Sequence, residues 1–349
     1  MFYFFSAFIL SVLSVLAVKW LAVRYQILDR PDHLRKLQSA PVPLWGGAAI
    51  FLSFWIVVGY LALFTDLLTK HFGGYKLFGV FVGSVIILLL GLWEDWRELG
   101  IKKRFIFTAL AVLAVLFGGV YLDGITNPFG GILPLDFWKI NFGILGNVLV
   151  VGDTVVFFWL MGMMYTTKIL DGLDGLTTGI TLIGAIVIYF LTTTTKFHQT
   201  DTAILALVLI GACAGFLLFN FYPAKIYLGE SGSLFTGFIL GVLSITAGGK
   251  IATALLVMGI PILDLIRVIW HRKKLGRSIF SGDREHLHFR LVDSGWSVPK
   301  TVIFLYLLAL LFGLSTLFLS SIAKIVALII LAVGFVGLEI FVSHKIKKI

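Results

Sequence analysis

The chain has 349 residues, of which 59% are hydrophobic and only 13% are charged, and its mean hydropathy is +1.02. Because a soluble domain is about 25% charged, this composition excludes a soluble enzyme and predicts an all-α polytopic membrane protein. The net charge of +10 is expected to arise from cytoplasmic loops rather than from nucleic-acid binding, and the lone Cys213 excludes an internal disulfide.

Eleven apolar segments are candidates for membrane-spanning helices, since each approaches the length needed to cross about 30 Å of hydrocarbon. They cover residues 1–23, 44–64, 77–93, 105–122, 147–165, 176–194, 202–219, 234–248, 251–270, 301–319 and 324–342. The first lacks the basic flank of a signal peptide, so we expect it to be retained. The eighth is short and rich in glycine, and we expect it to be tilted or partly broken. Together the segments would form one domain, residues 1–349.

The distribution of Lys and Arg predicts the orientation of these segments. Most of the 28 basic residues lie at the C-terminus and in the loops after the first, third, fifth, seventh and ninth segments. Because cytoplasmic loops are enriched in Lys and Arg, we expect the N-terminus outside and the C-terminus inside. On the opposite side, the loop of residues 123–146 is rich in Gly, Pro and aromatic residues and is expected to form a small hairpin.

The first two cytoplasmic loops each carry a polar motif next to a span. In the first, Lys36 precedes two prolines and a glycine pair, which is typical either of a basic membrane anchor or of a close approach to a ligand. In the second, the adjacent carboxylates of Glu94 and Asp95 repel each other unless a cation lies nearby. We expect them either to pair with the basic run 102–104 or to serve a metal ion or a proton transfer.

The third and fourth loops combine carboxylates with glycine. In TTKILDGLDGLTTG, residues 166–179, a helical conformation would place Asp171 and Asp174 on one face, suited to a magnesium–phosphate ligand. Alternatively, Asp174 is the N-cap of the sixth span. In the fourth loop, Glu230 lies in the sequence GESGS at the start of a span. Backbone N–H groups there favour a phosphate, and the carboxylate offers a ligand for a hard cation.

The fifth loop, residues 271–300, is the longest and contains the sequence SGDREHLHFR. Four groups that are or can become cationic occur within this short stretch: Arg284, His286, His288 and Arg290. Such a cluster is typical of a clamp for a pyrophosphate. A loop that only anchors the chain to the membrane would also be basic, and it remains the alternative.

The predicted topology brings all five loops to one cytoplasmic face. Carboxylates, a divalent cation and a basic cluster at a membrane edge indicate phosphoryl transfer between a soluble phosphate donor and a lipid phosphate. A transporter or flippase would instead place charged residues near the middle of the membrane. A non-catalytic scaffold would need neither DGLDG nor GESGS. These two classes are the competing interpretations.

The loop motifs resemble, in order and over nearly the whole chain, those of the polyprenyl-phosphate N-acetylhexosamine-1-phosphate transferases. The motifs are RKLQSAPVPLWGG, GLWEDWRELGIK, DGLDGL, NFYPAKIYLGESGSLFTGF and SGDREHLHFRL. The resemblance implies transfer of a sugar-1-phosphate, with N-acetylglucosamine favoured as the sugar, from a UDP-sugar to undecaprenyl phosphate in the bacterial inner membrane, releasing UMP. The motifs are closer to the O-antigen and teichoic-acid branch than to the lipid I-forming phospho-MurNAc-pentapeptide transferase, which is the alternative.

The resemblance also implies roles for individual residues. The catalytic residues would be Glu94, Asp95, Asp171, Asp174, His286 and His288. The substrate-binding residues would be Lys36, Lys102, Lys168, Asn220, Tyr227, Gly229, Arg284 and Arg290. The metal ion, Mg²⁺ or alternatively Mn²⁺, would be held by Glu230 and Asp171. A homodimer is left open as the assembly.

The chain departs from the family pattern at some of these positions. The family usually has aspartate or histidine at four positions where this chain has Glu94, Glu230, Phe289 and Gln38. Lys168 replaces an asparagine, and a lysine ammonium has no lone pair with which to ligate a cation. The resemblance therefore implies an altered coordination of the metal ion. A transferase that has lost its activity is a further alternative.

Overall fold

The computed structural model describes residues 1–31, 38, 40–68, 72–127, 129–141, 147–194, 199–248, 250–278 and 284–346. Within these ranges the chain is mainly helical. The first seven helices are α1 (Phe2–Arg24), α2 (Gly46–Phe64), α3 (Gly74–Trp96), α4 (Ile101–Phe117), α5 (Val150–Leu170), α6 (Leu176–Thr193) and α7 (Thr200–Asn220). The others are α8 (Gly229–Thr246), α9 (Ile251–Val257), α10 (Gly259–Lys274), α11 (Leu287–Asp293), α12 (Val298–Ser315) and α13 (Ser321–Ile346).

Short antiparallel strand pairs occur in two of the loops. The loop between α1 and α2 contains β1 (Leu28–Asp29) paired with β2 (Val42–Pro43). The loop between α4 and α5 contains β3 (Gly124–Thr126) paired with β4 (Ile132–Pro134), and β5 (Lys139–Asn141) paired with β6 (Asn147–Leu149). The hairpin expected in this second loop is therefore confirmed.

Each of the eleven predicted apolar segments coincides with a helix or with the α9–α10 pair. Among the described residues, eight helices are long and apolar enough to cross a membrane, and a ninth span is obtained if the bent pair is counted as one. The eight are α1, α2, α3, α5, α6, α7, α12 and α13. The two remaining segments correspond to α4 and α8. An all-α, multi-pass membrane protein is thus confirmed.

α8 is buried from Ser231 to Ile245 and lies at the centre of the bundle. Its glycines let neighbouring helices approach closely, because a Cβ added to Gly237 would lie 2.5 Å from the backbone oxygen of Met163 in α5. The glycine content that predicted a break instead serves packing. The break expected in the eighth span does not occur, since α8 is continuous from Gly229 to Thr246.

The helical path breaks one span later, between α9 and α10, where the two axes meet at 79°. Pro261 lies in the first turn of α10, where its missing N–H and fixed φ are compatible with the start of a new helix. Gly259 allows α13 to pack at the bend, because a Cβ there would lie 2.8 Å from Leu331 Cδ1. The bend gives α10 its own direction toward the histidine loop, residues 284–293.

Candidate active site

The loops converge at the N-terminus of α8. The N–H group of Gly47, at the start of α2, donates to the carbonyl oxygen of Leu228 at 2.7 Å. A Cβ added to Gly91 of α3 would lie 2.1 Å from the Cα of Ser231. These close backbone contacts join the first, second and fourth loops, although they are far apart in the sequence.

Asp95 is held against the first turn of α8. Its Oδ1 accepts a hydrogen bond from the N–H of Glu230 at 3.0 Å. Gly229 has a φ of +73°, and a Cβ there would lie 2.5 Å from Asp95 Oδ2, so this contact requires glycine. One N–H group that we expected to bind a phosphate is therefore occupied by a carboxylate. Asp95 Oδ2 is buried and finds no hydrogen-bond partner among the described residues.

Glu230 is paired with two cations. Its Oε1 contacts Lys168 Nζ, and Arg104 Nε lies 3.5 Å from the same oxygen. Arg104 also contacts Glu94 through Nη2. All four side chains are largely buried, with exposed fractions between 11% and 20%. Glu94 is therefore paired with the basic run, as one of the two interpretations of the acidic pair predicts. Asp95 is not paired with that run.

The two aspartates of the DGLDG motif lie in a turn between α5 and α6, so the helical conformation considered for them is wrong. Asp174 Oδ2 accepts a hydrogen bond from the N–H of Ala224 at 2.8 Å. The residue that caps α6 is Gly175, with a φ of +80° and no side-chain capping bond, so Asp174 is not the N-cap. Asp174 instead connects the third loop to the fourth.

Asp171 lies close enough to Glu230 for their negative charges to interact. Burial, with the charge of Glu230 as the second cause, raises the pKa of Asp171 to about 8, and a hydrogen bond with Thr177 opposes this increase. Burial also raises the pKa of Asp174, against the lowering effect of the Ala224 N–H. A cationic group of a substrate or a metal ion would favour the ionised form of both carboxyls.

The histidine loop packs against the DGLDG turn. A Cβ added to Gly172 would lie 2.4 Å from His288 Nε2 and 2.5 Å from Phe289 Cζ, so only glycine permits this approach. His288 is buried, and its Nε2 has no hydrogen-bond partner within the described ranges. Burial lowers the pKa of His288 to about 3. His288 is therefore a neutral group at physiological pH.

His286 is oriented by a carboxylate on α10. Its Nδ1 lies 2.8 Å from Asp264 Oδ2, and the two histidine rings of this loop are stacked with centroids 5.9 Å apart. The other oxygen of Asp264 accepts from the N–H of Leu287 at 3.1 Å and from Arg267 Nη2 at 2.8 Å. Asp264 thus fixes both the start of α11 and the ring of His286.

The two arginines of the predicted clamp are paired with carboxylates. Arg284 Nη2 lies 2.5 Å from Asp293 Oδ1, and its guanidinium stacks on the ring of Phe289 at 5.0 Å. Arg290 contacts Glu339 of α13 and donates to Ser343 Oγ at 2.6 Å. Arg290 therefore ties α11 to α13. A role for either arginine in substrate binding stays a prediction.

Asn220 and Tyr227, which we expected to bind substrate, form hydrogen bonds with other residues of the protein. The Asn220 Nδ2 donates to the carbonyl oxygen of Ile226 at 3.1 Å, and its Oδ1 accepts from the hydroxyl of Thr178 at 2.9 Å. The backbone of Tyr227 pairs with the first loop through Pro43, and burial raises the pKa of its phenol. Lys102 is exposed on the first turn of α4, and Lys36 lies outside the described residues.

Three contributors were missed from the sequence: Arg104, Thr177 and Asp264. Asp264 had a signal that could have identified it, because a carboxylate within an apolar span is by default a candidate functional residue. Arg104 was recognised only as part of a basic run, and nothing in its spacing indicates that it reaches Glu230. Thr177 carries no distinguishing signal.

The chain is similar to known proteins over the residues that form this site. The model of glycosyl transferase family 4 matches residues 77–248 of the chain. The chain is also 30% identical over 344 residues to the "Probable undecaprenyl-phosphate N-acetylglucosaminyl 1-phosphate transferase" of Bacillus subtilis, covering 96% of this chain and 90% of that relative. The chain belongs to glycosyl transferase family 4. The resemblance to polyprenyl-phosphate N-acetylhexosamine-1-phosphate transferases is confirmed.

Other family 4 relatives carry similar names. The chain is 33% identical over 330 residues to the "Decaprenyl-phosphate N-acetylglucosaminephosphotransferase" of Mycobacterium tuberculosis, covering 86% of this chain and 78% of the relative. It is 24% identical over 321 residues to the "Undecaprenyl-phosphate alpha-N-acetylglucosaminyl 1-phosphate transferase" of Escherichia coli, with 88% and 80% coverage. The family 4 match contains the second, third and fourth loops of this chain, including the residues from Glu94 to Glu230.

Proposed function

We propose that this protein transfers N-acetylglucosamine-1-phosphate from UDP-N-acetylglucosamine to undecaprenyl phosphate, releasing UMP, as the first membrane step of cell-envelope polysaccharide synthesis. The observation that carries the proposal is the meeting of Asp95, Asp171, Glu230 and His288 at one end of the helical bundle. The names of the family 4 relatives supply the sugar and the lipid. The bacterial inner membrane is the proposed location.

The reaction needs one new phosphorus–oxygen bond and the cleavage of another. An oxygen of the lipid phosphate attacks the β-phosphorus of the UDP-sugar, the pyrophosphate bond breaks, and UMP carries away the displaced oxygen. Asp95 Oδ2 is buried and has no hydrogen-bond partner in the part of the chain that the structure describes, so it is placed to accept the proton of the lipid phosphate.

The expected metal ligands fit a resident ion poorly. The Glu230 carboxylate is engaged by Lys168 and lies near Arg104, and within the described residues no three His, Cys, Asp or Glu side chains converge as a metal site. A divalent cation prefers several oxygen ligands that are not already neutralised. We therefore restrict the proposal for Mg²⁺ or Mn²⁺ to an ion that arrives with the UDP-sugar and is not required for turnover.

An apolar groove of about 690 Å³ supports a lipid substrate. Leu263 and Trp270 of α10 face Phe335 and Ile340 of α13 across it, and Arg267 lies among its polar lining residues. Arg267 also contacts Asp264, which orients His286, so the groove is continuous with the histidine loop. We propose that the groove holds the first isoprenyl units of the lipid.

We further propose eleven crossings, with the N-terminus outside, the C-terminus inside and the site facing the cytoplasm. The native Cys213 is buried, so cysteines introduced elsewhere can be labelled selectively. A cysteine at Asp136, in the hairpin loop, should react with an impermeant maleimide in intact cells, and one at Lys102 should react only after the membrane is opened. The opposite pattern would reverse the orientation. Whether the protein acts as a homodimer stays a prediction.

The activity is tested with purified protein in nanodiscs, undecaprenyl phosphate and a panel of UDP-sugars, by following UMP release and the labelled lipid product. We expect product from UDP-N-acetylglucosamine. Product formed only from UDP-MurNAc-pentapeptide would favour the lipid I-forming reaction. No UMP from any donor, with a folded protein, would reject transferase activity and leave a transporter or an inactive relative.

A further inference from the structure

Lys168 occupies an unusual position for a lysine, in the last turn of α5 and directed at the first turn of α8. Its Nζ contacts Glu230 Oε1, and the two side chains are only 20% and 14% exposed. The pair is fixed by close helix packing, because Gly237 lets α8 approach the backbone of α5 at Met163. Lys168 therefore cannot be regarded as a mobile surface cation.

The same carboxylate receives a second positive charge. Arg104 Nε lies 3.5 Å from Glu230 Oε1, while Arg104 Nη2 contacts Glu94. Two cations and two carboxylates thus form a set with no net formal charge. A divalent ion that approached Glu230 would meet the ammonium of Lys168 at short range, and like charges at such a distance repel strongly when they are screened only in part by solvent.

Lys168 keeps the capacity to bind a further anion. An ammonium carries three N–H donors, and the contact with Glu230 uses one of them. The Lys168 side chain is 20% exposed, so it is not sealed off from a ligand. A lysine in such a position is a recognised phosphate ligand, acting as a point charge.

We infer that the Lys168 ammonium takes the place of a metal ion at Glu230, so that this protein binds the donor pyrophosphate with a built-in cation and without a divalent ion bound at Glu230. The inference rests on the proposed function for the identity of the pyrophosphate, but not for the state of Glu230. It makes a divalent ion dispensable for turnover and predicts that removing the ammonium creates a metal site.

The decisive variant is Lys168→Asn, which removes the charge and supplies a neutral oxygen beside Glu230. Lys168→Met is the companion variant, because it removes the charge without adding a ligand. Lys103→Asn is the matched control: it removes a positive charge from the same face, where Lys103 is exposed and lies over the ring of Trp93. All three are compared with the parent protein.

The first measurement is binding of Mn²⁺ alone, followed by electron paramagnetic resonance on chelator-treated protein in nanodiscs of zwitterionic lipid without substrate. The parent and Lys103→Asn should bind no Mn²⁺ up to about 1 mM, and Lys168→Asn should bind at least about tenfold more tightly. Lys168→Met should fall between them. A parent protein that binds Mn²⁺ with a Kd of about 0.1 mM or lower would overturn the inference, and this parent measurement needs no variant to fold.

The second measurement is UMP release in the presence of EDTA. The parent should keep its rate within about threefold, and Lys168→Asn should require added Mg²⁺. Parent activity that is abolished by EDTA and restored by Mg²⁺ would also overturn the inference. If the parent releases no UMP under any condition, the proposed function fails, and the Mn²⁺ titration alone still decides whether Lys168 excludes a metal ion.

Discussion

Glu230 and Arg290 are both ions paired at the edge of the helical bundle, but their pairs have different surroundings. Glu230 shares its carboxylate with Lys168 and lies near Arg104, beside the Asp95 oxygen that has no hydrogen-bond partner among the residues described. Arg290 is bound by Glu339 and Ser343, both on α13. The first pair surrounds the place where a substrate would react, and the second joins two helices. Under the proposed function, similar charges thus serve chemistry in one region and positioning in the other.

The largest effect is expected from Asp95→Asn. The amide keeps the volume of the side chain but cannot accept the proton of the lipid phosphate, so turnover should fall by about 10³-fold, equivalent to about 4 kcal/mol of barrier. The measurement is UMP release by protein whose folding is checked by thermal unfolding. Asp136→Asn, an exposed carboxylate in the hairpin loop, is the matched control. Activity of Asp95→Asn within about tenfold of the parent would remove this residue from the chemistry.

Arg290→Ala should act on stability rather than on substrate binding. It leaves the largely buried Glu339 with only the longer contact from Arg267 Nε at 3.4 Å, which should cost about 2 kcal/mol of unfolding free energy. The KM for the UDP-sugar should stay within about threefold of the parent. Adding Glu339→Gln should restore part of the lost stability, because it removes the buried charge that Arg290 no longer neutralises.

If Arg290 belongs to the pyrophosphate clamp predicted from the sequence, the opposite result is expected. In that case Arg290→Ala would raise the KM for the UDP-sugar by tenfold or more, as expected for a lost contact with a bound pyrophosphate. Thermal unfolding would remain near that of the parent. This combination would place Arg290 in the substrate site. The Glu230 and Arg290 pairs would then no longer differ in role.

Asp264→Asn tests whether positioning residues in the histidine loop affect the chemistry. The amide cannot accept a proton from His286 Nδ1 at the position of the present Oδ2, so the ring should lose its fixed orientation. We expect kcat to fall by about 30-fold, or about 2 kcal/mol, with little change in KM. A pH–rate profile should change shape in this variant and not in Arg290→Ala. Identical profiles for parent and Asp264→Asn would assign Asp264 a purely structural role.

Gly172→Ala tests the close contact between the DGLDG turn and the histidine loop. The added Cβ would lie 2.4 Å from His288 Nε2, so the histidine loop must move away from the DGLDG turn. We expect turnover to fall by about tenfold, or about 1.4 kcal/mol. Gly162→Ala on α5 is the control, because no atom lies within 4 Å of its added Cβ. Equal activity of the two variants would show that this close approach is not needed.

The smallest effect concerns the pH dependence of stability. Because burial lowers the pKa of His288 to about 3, the unfolded chain binds a proton that the folded protein does not, and stability is lost as the pH falls below the unfolded pKa. Between about pH 7 and about pH 5.5 this amounts to about 1 kcal/mol. His288→Gln should flatten this part of the thermal-unfolding curve, and the exposed His271→Gln should not. Parallel curves for parent and His288→Gln would refute the assignment.

The sequence located the helices well, because the hydrophobic length needed to cross a bilayer is a property of the local composition. It also identified Asp95, Asp171, Glu230 and His288 as members of one site, since their motifs follow the third, fifth, seventh and ninth predicted spans, which end on the same face. The sequence did not show whether a glycine permits close helix packing or a break in the helix. The same residue type permits close packing in α8 and a bend at Gly259, and only the neighbouring helices distinguish the two.

The identity of each charged partner was decided by the tertiary structure alone. Lys168 and Glu230 are 62 positions apart, and Asp95 receives the N–H of a residue 135 positions away. No local pattern of spacing specifies such pairs, because they depend on how closely α5, α3 and α8 approach one another. The sequence therefore determined which groups are present at this end of the bundle. The packing of glycine-containing helices determined that the cation beside Glu230 is a lysine of the chain itself.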